Sequence, residues 1–430
     1  MASSKNNGGS RNTGSRNGYS DSRSTGSRSG SRDSRSSGSR NGGRDSRSSD
    51  SRYDYRETRS SDSRSGYGDG RNSGPKNKKV TSKKRKARKR RRIILFAVEM
   101  VALVVLGVVL WAVMKQTSMQ KINVKEEDIV INDTVENNVA MKGYRNIALF
   151  GLDARDKNLG KGNRSDTIMI ASINLDTGEV KLCSVYRDTY MNLGNDKYSK
   201  CNAAYASGGP EQAISMLNMN LDMNITDYVS IGFNGMIDVV NSLGGVEIDI
   251  REDEIKNLND YQASMFSTET KERLTDDYVK VTQPGLQTLN GLQATAYCRI
   301  RYTAGDDFKR AERQRTVLLA ILEKAKTASV GTLYDTLDKV LPNVATNLDT
   351  KEMLSVLKDL ESYKVLATDG FTFETNRVTG KVGKAGSCVI PTSLEDNVVL
   401  LHKFFFEQEE YTPSKSVSNY SARVSSDTGR

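Results

Sequence analysis

The chain has 430 residues, with 64 Lys and Arg against 53 Asp and Glu, for a formal net charge of +11. The charge is unevenly placed: residues 1–92 hold 27 basic and 8 acidic side chains, whereas residues 93–430 hold 37 basic and 45 acidic, and this mildly acidic remainder argues against a folded domain built to coat nucleic acid. A single histidine, and four cysteines (Cys183, Cys201, Cys298, Cys388) without a CxxC pair, suggest no zinc ligand set; the cysteines read as small buried hydrophobes.

Residues 1–75 are Ser, Arg, Gly, Asn and Asp in imperfect short repeats. So little apolar surface cannot offset the entropy of ordering, and residues 1–92 are expected to be a disordered basic tail. Arg-Ser repeats can bind RNA or accept phosphate, but the reading adopted is a solvated polyelectrolyte beside a membrane. Residues 83–92 are nearly all basic and run into Ile93–Met114, an apolar stretch whose one charge is Glu99. At ~1.5 Å per residue it reaches ~33 Å, enough for a ~30 Å hydrocarbon core. The basic flank places the N-terminus inside the cell and the C-terminal part outside. A cleaved signal peptide fits less well, because no A-x-A-like site follows the apolar stretch. Trp111, near the outer end, suits the membrane interface. Residues 115–141 read as a polar linker.

Beyond the linker, strands and helices alternate. Asn146–Phe150, Thr167–Ile173 and Val180–Val185 are predicted strands. Glu211–Leu221 is a predicted helix after Gly208-Gly209-Pro210. Tyr228–Phe233 reads as a strand, Gly235–Leu243 as a helix and Val246–Ile250 as a strand. Tyr297–Arg301 reads as a strand and Arg310–Ala328 as a long helix. Lys351–Ser362 is predicted helical, Tyr363–Phe373 extended and Ser393–Phe406 helical. Residues 409–430 are polar and expected to fray. The pattern predicts one α/β or α+β domain over 142–408, a central mixed sheet flanked by helices.

His402 sits beside Phe404–Phe406 and reads as structural; no G-x-S-x-G or P-loop occurs. Aspartate and arginine recur instead at the ends of elements. Asp153 and Arg155 follow the first strand, Arg164 and Asp166 precede the second, and Arg187-Asp188 follow the third. Arg299 and Arg301 are two apart, which on a strand gives them one face. After Asp307, Arg310, Arg313 and Gln314 share a helix face. Carboxylate oxygens suit Mg²⁺ and guanidinium forks suit phosphate, so the set points to phosphoryl or pyrophosphoryl chemistry.

The ordered runs NIALFGLDAR, RSDTIMI, SVYRDT, FNGMIDVVNSLGGV, LNGLQA, RIR and DFKRAERQR resemble the LytR-CpsA-Psr family of bacterial cell-envelope proteins, over about residues 142–325. Tyr186 stands where the family has proline, and Leu152 where it has a small residue. The resemblance implies transfer of a glycopolymer such as teichoic acid or capsular polysaccharide. The donor would be a polyprenyl-pyrophosphate-linked glycan, the acceptor a peptidoglycan sugar hydroxyl, and the reaction would require Mg²⁺. Carried onto this chain, it puts the metal on Asp153 and Asp166. It puts the pyrophosphate among Arg155, Arg164, Arg187, Arg299, Arg301, Arg310, Arg313 and Gln314. Asp307 would hold an arginine or act as the base, with Asp188 an orienting partner. Ile231, Phe233, Met236, Ile237, Val240 and Leu243 are candidates for a lipid slot, although such spacing also marks ordinary core. A lipid-pyrophosphate sensor and a plain pyrophosphatase are the rival readings.

Overall fold

A computed structural model describes residues 124–154, 158–265, 278–301 and 306–430, together with positions 100, 103, 106, 120 and 122. The expected basic tail and Arg155 lie outside the described residues, as does the expected span 93–114 apart from three helical positions. Among the described residues no helix is long and apolar enough to cross a membrane.

In chain order the elements are α1 (Asp133–Glu136), β1 (Tyr144–Leu152), β2 (Ser165–Asn174), β3 (Glu179–Val185), β4 (Tyr190–Asn192), β5 (Tyr198–Lys200), α2 (Asn202–Leu221), β6 (Asp227–Ile231), α3 (Phe233–Ser242), β7 (Val246–Ile250), α4 (Glu252–Ser264), β8 (Gly285–Leu289), α5 (Gly291–Tyr297), α6 (Asp306–Thr327), α7 (Val330–Val340), β9 (Val344–Thr346), α8 (Thr350–Lys358), β10 (Lys364–Phe371), β11 (Arg377–Val382), β12 (Gly386–Pro391), α9 (Leu394–Phe406) and α10 (Lys415–Thr428). The expected mixed sheet is present. Its order is β10-β3-β2-β1-β6-β9, with β1–β6 and β3–β10 parallel and the other pairs antiparallel. Short hairpins β4–β5, β7–β8 and β11–β12 stand beside it.

Alternation divides the sheet. Ala148, Phe150 and Leu152 of β1 and Ile168 and Ile170 of β2 point into a core shared with Ile214 and Leu217 of α2, Leu401 and Phe405 of α9 and Val417 of α10. A second core joins Val240, Val246, Ile248, Leu258, Leu289, Ile300 and Val317, on elements from α3 to α6. His402 is structural, as read: it is buried, bonds the Leu221 carbonyl at 3.1 Å and stacks on Tyr411 at 3.6 Å, and burial lowers its pKa to about 4. All four cysteines are free.

Several boundaries differ from the sequence reading. Tyr297–Arg301 is not a strand: Tyr297 ends α5, and Arg299 and Ile300 continue as a turn bonded back to Ala296 and Tyr297. Helix α2 begins at Asn202, because Gly209 at φ 71° lets the chain kink before Pro210 and resume. Phe233 opens α3 rather than closing β6. The linker is part of the fold from position 124 onward, with Ile129, Val135 and Met141 buried in the first core. The C-terminal stretch does not fray. Ser414 caps α10 through the Val417 amide, and the helix buries Val417 and Val424.

Candidate active site

The sheet face opposite α2 is not fully covered. Leu149 and Gly151 of β1, Thr167 and Met169 of β2, and Val229 and Ile231 of β6 point the other way from the first core and line a cavity of about 470 Å³. Met236 and Val239 of α3 close one side, and Gln314, Leu318 and Ile321 of α6 close another. On α6 the cavity stripe runs Arg310, Gln314, Leu318, Ile321, spaced by four, four and three, so one helix carries both the charged end and the apolar depth. A mostly apolar lining that also carries a few charged and polar groups suits an amphiphile.

The mouth gathers Asp153, Asp166, Arg299, Arg301, Arg310 and Gln314. Arg299 lies over the rings of Phe233 (4.6 Å) and Tyr261 (5.5 Å). Arg301 stands 3.6 Å from Asp166. Ile300, fully buried between them, pins the turn that presents both arginines.

Beneath the mouth is a tight ionic network. Arg187 Nη1 bonds Asp166 Oδ1 at 2.8 Å, and its Nε lies 3.7 Å from Asp188 and 4.0 Å from Asp307. Arg310 Nη1 is 2.9 Å from Asp307, and Lys200 Nζ is 3.3 Å from Asp188. Arg187 Nε, Arg310 Nε and Nη1 and the facing Asp307 Oδ1 are all buried without an aligned hydrogen bond, although Arg310 Nη1 and Asp307 Oδ1 are in ion-pair contact. Buried donors left this way are costly unless another acceptor completes them. Burial, and then Arg187 beside it, lower the Arg310 guanidinium to about 10. Burial pushes the Asp188 carboxyl up despite Arg187 and Lys200. For Asp307, burial is outweighed by Arg310 and Arg187, and its pKa falls. The site is therefore a nest of cationic donors incompletely matched by carboxylates, which suits a multiply charged phosphate group.

Not every expected residue is there. Arg313 does not line the cavity. It sits one stripe over on α6, 3% exposed, with Nε 2.7 Å from the buried Glu254 and Nη1 3.2 Å from the Ile300 carbonyl. Arg164 is exposed and does not line the cavity; its carbonyl accepts from the Asp153 amide. Of the six slot candidates, Ile231, Phe233 and Met236 line the cavity. Ile237, Val240 and Leu243 are on the buried side of α3 and its end, where they fill core instead. Leu149, Met169, Val229, Val239, Leu318 and Ile321 were missed; the signal was the i, i+2 alternation along three strands for the first three and the i, i+3/i+4 spacing along α3 and α6 for the others.

A clamp also holds the network from outside. Tyr186 packs edge-on against Phe308 at 4.7 Å, and the Arg377 guanidinium of β11 lies over both rings, at 5.1 and 4.1 Å. It also donates to the Thr372 carbonyl at 2.8 Å. Gly370 has no side chain because the Tyr186 hydroxyl occupies that space. Since Tyr186 precedes Arg187 and Phe308 follows Asp307, the clamp ties the end of β3 to the first turn of α6.

Carboxylate oxygens are the donor type that a hard divalent cation takes, and Asp153 and Asp166 both line the cavity. Asp166 is in β2 and Asp153 follows β1, beside the Leu152–Ser165 pair, and Asp166 also contacts Arg187 and Arg301. Among the described residues no cluster of three metal-binding side chains occurs. Mg²⁺ commonly takes only one or two carboxylates and completes its shell with phosphate oxygens and water.

Residues 109–389 match the LytR_cpsA_psr family. The chain belongs to the LytR-CpsA-Psr family. TagT of Bacillus subtilis, named a polyisoprenyl-teichoic acid–peptidoglycan teichoic acid transferase, is 30% identical over 234 residues, 53% of this chain and 68% of that protein. TagU of Enterococcus faecalis, named likewise, is 32% identical over 219 residues, 50% of this chain and 65% of that protein. The chain thus spans about two thirds of the length of these relatives. The crystal structure of gbs0355 from Streptococcus agalactiae superposes with a TM-score of 0.52 at 25% identity, covering 65% of this chain and 93% of that one. Within this family, the cavity and its arginine mouth are the features that a function has to explain.

Proposed function

We propose that this LytR-CpsA-Psr protein transfers a glycopolymer, with one phosphate, from a polyprenyl-pyrophosphate carrier to a sugar hydroxyl of peptidoglycan at the outer face of the cell membrane. The observation that carries the reading is one cavity that combines an apolar lining between sheet and helices with three arginines, Arg299, Arg301 and the buried Arg310. The names of the similar transferases agree with it. The prenyl chain takes the apolar depth and the pyrophosphate takes Arg299, Arg301, Arg310 and, through the network, Arg187. The acceptor oxygen forms a bond to the phosphorus that carries the glycan, and the bond from that phosphorus to the bridging oxygen breaks. Polyprenyl phosphate leaves, and the hydroxyl proton passes to the Asp188–Asp307 pair. Within that pair Asp307 holds Arg310 at 2.9 Å, and Asp188, which faces Lys200 at 3.3 Å, is the member assigned the proton. Preorganised guanidinium groups stabilise the charge that builds on the phosphoryl oxygens. Asp153 and Asp166 would hold Mg²⁺, which when bound neutralises pyrophosphate charge.

The test uses the full chain in detergent with a short-chain prenyl-pyrophosphoryl glycan, peptidoglycan oligomers and Mg²⁺. Glycan covalently joined to peptidoglycan, with prenyl phosphate released in equal amount, is the expected result. Release of inorganic phosphate alone, or binding of the donor without products, overturns the reading.

A further inference from the structure

A transferase needs two approaches to its reacting atoms, and the apolar cavity supplies only the donor's. A solvent-open groove of about 380 Å³ lies beside the β4–β5 hairpin, whose Lys200 reaches the ionic network. Three separate segments build it: the β4–β5 hairpin through Tyr190, Tyr198 and Ser199, the β11–β12 turn through residues 382–385, and α10 through Arg423 and Asp427. A volume of that size lies within the range of ~300–1,000 Å³ usual for ligand pockets.

The groove adjoins the network through the chain itself. Asp188 is two residues from Tyr190, and Lys200, the register partner of Tyr190, reaches back to Asp188 at 3.3 Å. The path from the donor cavity therefore runs Asp166, Arg187, Asp188, Lys200 and then the groove. The walls combine an aromatic face with fixed polar groups. Arg423 lies over the half-buried Tyr198 ring at 5.3 Å and pairs with Asp427 at 2.8 Å, and Asp427 accepts from the Tyr190 hydroxyl at 3.0 Å. Lys384 is exposed on the turn, and Gly383 there, at φ 41°, leaves the backbone uncovered. A ring face beside hydrogen-bonding side chains suits a sugar, and two cations suit one that bears a carboxylate. Helix α10, which supplies this wall, lies beyond residues 109–389 that match the family.

We propose that this groove is the acceptor subsite, taking a carboxylate-bearing amino-sugar strand and presenting its hydroxyl on the Asp188 side of the network. The proposal rests on the transfer reading above, and its test separates the two. The full chain is compared with Tyr198→Ala and with the exposed double variant Lys384→Ala/Arg423→Ala. The measurements are donor affinity, the acceptor KM and kcat of transfer, and direct titration with a tetrasaccharide of alternating N-acetylglucosamine and N-acetylmuramic acid. Either variant is expected to raise the acceptor KM and weaken tetrasaccharide binding by about tenfold or more, with donor affinity unchanged. Unchanged acceptor KM in the double variant, whose side chains carry no core packing, overturns the proposal even if Tyr198→Ala fails to fold. Should the wild-type chain bind the tetrasaccharide but transfer nothing, the function reading fails, and the groove stands as a glycan-binding site only if the double variant loses that binding. No binding to the wild-type chain sinks the groove.

Discussion

Arg313 Nε and Glu254 Oε1 face each other at 2.7 Å with only 3% and 1% of their side chains exposed, which makes this arginine a strut of the fold. Removing one member of a buried pair leaves an uncompensated charge and typically costs ~3–5 kcal/mol. Glu254→Gln is expected to lower unfolding free energy by about that amount in denaturant titration. Arg313→Ala should do the same and also release the Ile300 carbonyl, loosening the turn that carries Arg299 and Arg301. A Glu254→Gln protein that unfolds within about 1 kcal/mol of wild type would show that the pair does not bear on stability.

The opposite behaviour is expected of Arg187, Arg310 and Asp166. Their charges are unevenly satisfied in the resting protein, so their value lies in what binds. Arg187→Ala and Arg310→Ala should each reduce transfer by roughly 10²–10³-fold, the scale for losing one preorganised donor. Asp166→Ala should lose most transfer as well, since it takes Arg187 at 2.8 Å and is a proposed metal ligand. All three should keep a cooperative unfolding transition. Near-normal transfer in any one variant removes that residue from the site.

Asp153, Asp166, Arg299, Arg301, Arg310 and Gln314 were legible in the sequence because polar residues at element ends have few structural duties there, and they do meet at one mouth. Arg313 was not separable from Arg310. Spacing of three and four gives a helix stripe but not which of two adjacent stripes meets a buried carboxylate, and Glu254 is 59 residues away. The turn at 297–301 was misread because Ile300 between two arginines alternates like a strand, whereas only tertiary packing shows that it plugs a core. Helix α10 looked too polar to order; burying Val417 and Val424 against α2, β4 and α9 is long-range information.

The apolar depth gives a prediction in chain length. Leu318→Trp or Val229→Trp would fill the space between sheet and α6. Each should weaken binding of a long-chain prenyl pyrophosphate about tenfold or more, while a donor with a one- or two-unit prenyl chain binds as before. Val240→Ala, in the second core, should lower stability without changing the dependence on chain length. Equal loss for short and long donors in the Trp variants would place the prenyl chain elsewhere.

His402 predicts an acid-sensitive fold. Its folded pKa, about 4, lies below the unfolded value near 6.5, because the charged form is excluded from its buried stack on Tyr411. The unfolded chain therefore binds this proton first. The neutral side chain's contribution is fully present above pH ~6.5 and is lost as pH falls toward 4, for a total of roughly 3 kcal/mol at ~1.36 kcal/mol per pH unit. Carboxylates titrate in the lower part of this window, so the measurement is the difference between wild type and His402→Gln. The variant's unfolding free energy should fall less steeply between pH 6.5 and 4.5. Parallel curves would mean that His402 already carries its proton in the folded state.

The Arg377 clamp should act on rate more than on binding. Its guanidinium touches neither the cavity nor the groove, yet it lies over Tyr186 and Phe308, neighbours in sequence of Arg187 and Asp307. Cation–π contacts of this partly desolvated kind contribute about 1–2 kcal/mol, and the aim of the network depends on them. Arg377→Ala is expected to lower kcat about tenfold with donor affinity little changed. Arg377→Lys should recover only part of the loss, because an ammonium keeps the charge but not the planar fork. Phe308→Ala should reproduce the Arg377→Ala effect, and the double variant should be little worse than either alone, since both remove one contact. Additive losses would mean that the two residues act independently, and a fall in donor affinity matching the fall in kcat would move Arg377 from positioning the network to holding the donor.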